Sequence, residues 1–252
     1  MRTPLLSVNI NKYALLRNSR GHDAPRLESV IDTVVEAGAR GITIHPRLDQ
    51  RHIVFDDVPR VGDYLARHHP DIEFNIECED HPDVLDLVRA AQPHQCTLVP
   101  VTPGEITSDH GWTFPEHDAR LRPLIEELKS LGIRVSLFAD CDPTTIGGFA
   151  TSGADRVELY TGPYAWAWGT PNQAQETARV FATARAAEQH GLGLNAGHDL
   201  DRHNLPGLCG LPGLLEVSIG HAQICRALEV GTRQSVTELL TALTLGPDTP
   251  PS

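Results

Sequence analysis

GITIHPRLDQRHI, residues 41–53, decides how this chain is read. Gly41 opens a run of β-branched Ile42, Thr43 and Ile44 that stops at Pro46, the composition of a short buried strand. Its far end carries His45, Arg47, Arg51 and His52 within eight residues. An apolar strand that delivers two imidazoles and two guanidiniums to one rim suits an anionic ligand.

The same layout recurs outward from this stretch. A helix, a Gly and a strand follow one another in VEAGARGITIHP, LKSLGIRVSLFAD, ATSGADRVELYT and AEQHGLGLNAGH. Alternation and β-branched content predict strands at 5–10, 41–46, 73–79, 95–101, 134–140, 155–161, 192–198 and 214–221. Helices are expected at 26–38, 56–69, 81–92, 114–132 and 170–191, with short ones over DPTTIGGFATSG and around LPGLCGL. A last helix over 222–245 has its weak point at Gly231. NKYALLRNSRG, TPGEITSDHGW and GPYAWAWGTPN read as loops after the first, fourth and sixth strands.

Strands alternating with helices imply a parallel sheet. Eight steps of about 30 residues each favour a closed (β/α)8 barrel with extra short helices over an open doubly wound sheet. A G-x-G-x-x-G after the first strand, which would favour the open sheet, is absent. The expected organisation is one domain over residues 1–245, with a disordered tail at 246–252.

The net charge of −12 argues against a nucleic-acid partner and against anionic membrane surfaces. Its distribution is uneven. Residues 1–60 hold nine of the 21 Lys and Arg but seven of the 33 Asp and Glu, a local +2 that leaves −14 for the rest. A basic N-terminal region in an acidic chain suits a small phosphate ester. No apolar run approaches the length of a membrane span, and the start MRTPLLSVNI lacks a signal-peptide core, so a cytoplasmic protein is expected. The five scattered cysteines contain no C-x-x-C and read as reduced thiols.

In such a barrel the C-terminal strand ends form the active face. They would present Asn9 and Asn11, His45, Glu77, Thr102, Asp140, Glu158, Asn195 with His198, and His221. IGHA at 219–222 would open the last helix with free N–H groups, a phosphate-binding arrangement. His45 and His198 suit general acid–base work, and Glu77, flanked by Phe74 and Ile76, could have a raised pKa. Arg20, Arg47 and His52 suit anion clamping. A His/Glu/His set could instead bind a divalent metal, although no H-x-H or E-x-x-H pairing supports one.

SVNINKYALLRNSRG, GITIHPRLDQRHI, FNIE, EITSDHGW, RVELYTGPYA, LNAGHDL and EVSIGHA together resemble the pyridoxine 5′-phosphate synthase family, from the first strand to the last helix. The resemblance implies a (β/α)8 barrel assembled as a homo-octamer, a tetramer of dimers, without metal or organic cofactor. Its reaction would condense 1-deoxy-D-xylulose 5-phosphate with 3-amino-2-oxopropyl phosphate, giving pyridoxine 5′-phosphate, phosphate and water. His45 would be a general base, Glu77 a second base, His198 the proton donor, and Glu158 would stabilise transition-state charge. Asn9, Arg20, the Asp199 backbone, Gly220 and His221 would hold the amino-ketone phosphate. Arg47, His52 and Thr107, with Asn11 and Lys12, would hold the pentulose phosphate, and the loop after the fourth strand would be a lid. The chain departs from the family where many members have Asp-His in place of Asn11-Lys12. The other expectations are a metal-dependent sugar-phosphate isomerase barrel and a non-catalytic barrel that binds phosphate esters.

Overall fold

LLSVN forms β1 (Leu5–Asn9), where Leu6 and Val8 face outward into the core while Ser7 and Asn9 face the strand's other side. The same alternation runs through β2 (Gly41–Ile44), β3 (Glu73–Cys78), β4 (Gln95–Leu98), β5 (Arg134–Ala139), β6 (Arg156–Tyr160), β7 (Gly193–Gly197) and β8 (Leu214–Ile219). In this computed structural model, which describes residues 3–102 and 108–246, each strand pairs in parallel with the next. Pairing of β8 with β1, Ser218 opposite Ser7, closes the barrel. The expected (β/α)8 barrel is the observed fold.

Outward-facing Ile42, Ile44, Phe74, Ile76, Leu98, Leu137, Leu159 and Val217 are buried beneath the helices. Those helices are α2 (Leu27–Glu36), α3 (Asp57–His68), α4 (Pro82–Ala91), α5 (Asp118–Ser130), α6 (Ile146–Thr151), α8 (Gln173–Gln189), α9 (His221–Val230) and α10 (Thr232–Ala242). Val30, Ile31 and Val34 of α2 recur at helical spacing and show why the face packs inward. Gly231 separates α9 from α10 at φ +85°, so the weak point anticipated in the last helix is a true break. A 3₁₀ turn at Leu205–Leu208 occupies the expected LPGLCGL segment.

Two expected loops are helices. NKYALLRNSRG contains α1 (Asn11–Asn18), whose Tyr13, Ala14 and Arg17 are buried. GPYAWAWGTPN contains α7 (Gly162–Ala167), started by Thr161 and Pro163, whose fixed φ suits a first turn. Both are too short and too polar or Pro/Gly-rich to show helical periodicity, and tertiary packing decides them. Of the loop expected as a lid, residues 102–112, the stretch 103–107 lies outside the described residues, as does the tail from residue 247 onward.

One buried ion pair fixes α1. Arg17 donates to both carboxylate oxygens of Asp57 at 2.6 and 2.7 Å, and Asp57 accepts from the Val54 N–H at 2.9 Å. The neighbouring Asn18 donates to the His52 carbonyl at 2.6 Å. Helix α1 is thereby tied to the loop after β2. Asp57→Ala would leave the Arg17 guanidinium buried without its carboxylate, at a cost of about 3 kcal/mol or more. Urea unfolding should show that loss; a cost near zero would mean that the pair does not hold α1.

Candidate active site

The strand ends open into a cavity of about 550 Å³, a size suited to small phosphorylated molecules. β1 brings Asn9 to its wall, the start of α1 brings Asn11 and Lys12, and β2 with its loop brings His45, Arg47 and His52. β3 contributes Glu77, β6 Glu158, the turn after β7 His198 and Asp199, and the start of α9 Gly220 and His221. Arg20 sits on the exposed turn after α1 and is not brought to the cavity. Thr107 lies outside the described residues.

Of the other strand-end residues, Asn195 is one level too deep. Its side chain is held below the cavity, accepting from Arg156 Nη1 at 3.1 Å and donating to Gln95 Oε1 at 3.4 Å. Sequence reading missed Ser108, Ser218 and Phe138, which also line the cavity. Ser218 had a signal, since the alternation Glu216, Ser218, Gly220 in EVSIGH points one face of β8 inward.

Short contacts order the acid–base groups. His45 Nδ1 lies 3.4 Å from Glu77 Oε2, and the Asn9 amide donates to the same carboxylate at 3.4 and 3.5 Å. Asn9 Oδ1 accepts from the Asn11 N–H at 3.0 Å, and Asn11 Oδ1 accepts from the His45 N–H at 2.9 Å. The two asparagines thus clamp the base pair from both sides. His45 Nε2 and Glu158 Oε2 are buried with no hydrogen-bond partner among the described residues, a condition that a bound substrate would relieve.

Glu158 is 4% exposed. Burial, reinforced by the nearby Glu77 carboxylate, pushes its carboxyl up to about 8. At neutral pH it carries a proton and can donate. Gly197 is what lets it fit, since a Cβ there would overlap Glu158 Oε1.

The cationic end is equally specific. Burial, then the neighbouring His45, Lys12 and Arg47, push His52 down to about 3, so its ring is neutral. Its Nδ1 accepts from the Ile53 N–H at 2.9 Å, which leaves Nε2 carrying the proton. His52 is therefore a neutral donor beside the Arg47 and Lys12 cations. After β8, Gly220 caps α9, and a Cβ there would lie 2.9 Å from the Asn9 carbonyl. The first N–H groups of α9 and the absence of a side chain at Gly220 leave an approach for an anion. Among the described residues no group of three His, Cys, Asp or Glu side chains is placed to hold a metal ion.

Comparison with known proteins agrees over nearly the whole chain. Residues 6–244 match the model of the family described as pyridoxal phosphate biosynthesis protein PdxJ. A protein of Albidiferax ferrireducens named pyridoxine 5′-phosphate synthase is 49% identical over 250 residues, covering 97% of this chain and 99% of that protein. One of the same name from Xanthomonas campestris pv. campestris is 49% identical over 253 residues, covering 97% and 98%. Among solved structures, phosphoribosyl anthranilate isomerase from Thermotoga maritima superposes with a TM-score of 0.61 at 11% identity, covering 95% of this chain and 98% of that one. The BexX/CysO complex of Amycolatopsis orientalis gives 0.62 at 16%, covering 96% and 88%. At these identities the two structures share the fold alone.

The raised Glu158 pKa sets a stability signature. The unfolded carboxyl ionises near 4.5 and the folded one near 8, so the folded state holds the extra proton between them. Stability therefore falls as pH rises through that window, and the full penalty is present above about 8. Glu158→Gln should gain stability over wild type across the same interval. Parallel stability-against-pH curves for the two proteins would contradict a neutral buried acid.

Proposed function

The chain belongs to the PdxJ family, and we propose that it catalyses the pyridoxine 5′-phosphate synthase reaction, joining 1-deoxy-D-xylulose 5-phosphate to 3-amino-2-oxopropyl phosphate with loss of phosphate and water. It is an enzyme of vitamin B6 biosynthesis. The observation that carries the site assignment is the carboxyl–imidazole set His45, Glu77 and Glu158 lining one cavity together with the cations Lys12 and Arg47 and the first turn of α9.

Amine addition, dehydration, phosphate loss and ring closure each move protons, so several acid–base groups are needed. His45 takes a proton as general base, with Glu77 against its Nδ1 to stabilise the imidazolium. Glu77 serves as a second base. His198, on the far side of the cavity, is the proton donor to the departing oxygen. Glu158, protonated at neutral pH, donates a hydrogen bond to charge that develops on oxygen.

Arg47, Lys12 and neutral His52 hold the pentulose phosphate, with Asn11 nearby. Gly220, His221, Asn9 and the Asp199 backbone hold the amino-ketone phosphate. Anchoring both phosphates in one cavity raises the effective concentration of amine and ketone. Arg20 stays outside this set, and Thr107 belongs to it by the family resemblance alone. Lys12 supplies a full charge where many members have a histidine, which supports binding of the phosphate by this variant pair.

The proposal extends to one working domain over residues 1–245, a homo-octameric tetramer of dimers and a cytoplasmic location. Exposed apolar Leu16 and Leu228 are suited to burial between subunits, and the five free cysteines suit a reducing compartment.

The test is product formation from both substrates, with chelator present. Wild type should make pyridoxine 5′-phosphate and His45→Asn should lose about 100-fold or more in kcat. Lys12→His should remain active with a changed KM for the pentulose phosphate. No product from a folded wild type that binds both phosphates would overturn the synthase reading, as would restoration of activity only by added divalent metal.

A further inference from the structure

β7 ends at Gly197, and the next two residues are in a conformation that side chains avoid. His198 has φ +88° and Asp199 φ +57°. Two consecutive non-glycine residues in left-handed space carry strain that persists only where the surroundings hold them. The barrel supplies those holds from one direction. Thr161, which starts α7, donates its hydroxyl to the carbonyls of Gly197 and His198 at 2.7 Å each. Asn204 donates its amide to the Asp199 carbonyl at 3.1 Å.

These contacts fix the backbone and leave the Asp199 side chain to be placed separately. The Trp166 indole N–H places it, donating to Asp199 Oδ2 at 2.8 Å. The same oxygen faces His198 Nδ1 at 3.7 Å. The adjacent His198, then the indole N–H, hold the Asp199 carboxyl below the ordinary range against the opposing effect of burial, so it is ionised. Trp166 itself does not line the cavity and is 64% exposed, an unusual place for an indole without a task. A second route runs through the rings. Trp166 meets Tyr160 edge-on at 6.2 Å, and Tyr160 meets the His198 imidazole edge-on at 5.0 Å.

We propose that Trp166 is a positioning residue for His198, its indole N–H holding the Asp199 carboxylate in the one rotamer that faces the His198 Nδ1. This rests on the reading of His198 as the proton donor. Water can replace the indole as a donor to an exposed carboxylate but cannot hold it in one direction. Asp199 then orients the imidazole so that Nε2 is presented to the reacting oxygen. The ring contact with Tyr160 is available to any aromatic residue at 166, whereas the N–H is not.

The experiment compares wild type, Trp166→Phe, Trp166→Ala, Asp199→Asn and the Phe/Asn double variant, each first checked for an unchanged thermal midpoint. Trp166→Phe should lower kcat about 10-fold, the scale of a lost hydrogen bond to a charged group, with the pentulose phosphate KM within about 2-fold. In the Asp199→Asn background the same change should cost no more than about 2-fold, because the two act as one unit. The His198 ring ¹⁵N resonances, which need no turnover, should shift in Trp166→Phe and not shift further in the double variant. Full activity and unshifted resonances in Trp166→Phe, with loss only in Trp166→Ala, would assign Trp166 to packing and overturn the proposal. An equal loss in both Asp199 backgrounds would overturn it too. If wild type makes no product, the synthase reading fails while the ring resonances still decide the positioning role.

Discussion

A closed barrel with a polar interior must pair most of its inward side chains across the lumen, and this constraint organises the molecule. The lumen of such barrels is ordinarily filled by branched apolar residues. Here Ser7 and Thr43 share a hydrogen bond at 2.7 Å, Asn75 donates to Thr43 at 3.3 Å, and Thr97 donates to Asn75 at 3.1 Å. Near the floor Gln95 accepts from Arg134 at 3.0 Å and from Arg156 at 3.2 Å. Burial, then the adjacent Glu73, raises the Glu216 carboxyl well above the ordinary range. Apolar burial then falls to the outer faces of the strands. A register slip of one residue would exchange the two sets, which is why the register is strongly fixed.

The candidate active site is the last storey of the same construction. Two residues along from Thr43 and Asn75 stand His45 and Glu77, which the register Thr43 opposite Asn75 and Ile44 opposite Ile76 brings side by side, while Asn9 stands opposite Thr43 on the neighbouring strand. Since β-strands in a closed sheet cannot shift independently, the spacing between His45 and Glu77 is set by the backbone pairing just before them, Ile44 opposite Ile76. The loops and helix starts place Lys12, Arg47, His52 and His221 around His45 and Glu77. The Arg17–Asp57 pair and the Asn18 contact tie α1 to the His52 segment, so Lys12 and His52 are placed together.

Period-two alternation and the helix–Gly–strand repeat made the strands and the eightfold count legible in the sequence. The strand-end residues followed from the rule that such barrels work at one face, and the long motifs added the roles. Less legible were features fixed by packing alone. The helix α1 hides in a basic stretch, and the helix α7 hides among Gly, Pro and Trp. Asn195 looked like a rim residue because sequence shows parity but not depth along the barrel axis. Arg20 has the right chemistry, yet its turn lies outside the cavity, a matter of tertiary placement that no local pattern encodes.

Charge decides how the two ends and the middle work together. With both Glu77 and Glu158 ionised, the lumen would hold two like charges facing incoming phosphates without a cation between them. Keeping a proton on Glu158 leaves one carboxylate there, and that one is paired with His45 and the Asn9 amide. Neutral His52 does the converse at the rim, adding a donor without adding to the repulsion between Arg47 and Lys12. Both neutral forms come from burial, the least specific of forces, acting on groups whose neighbours the register has already fixed. An acidic chain of net charge −12 thus gathers Lys12, Arg47 and Arg51 at the mouth of one cavity.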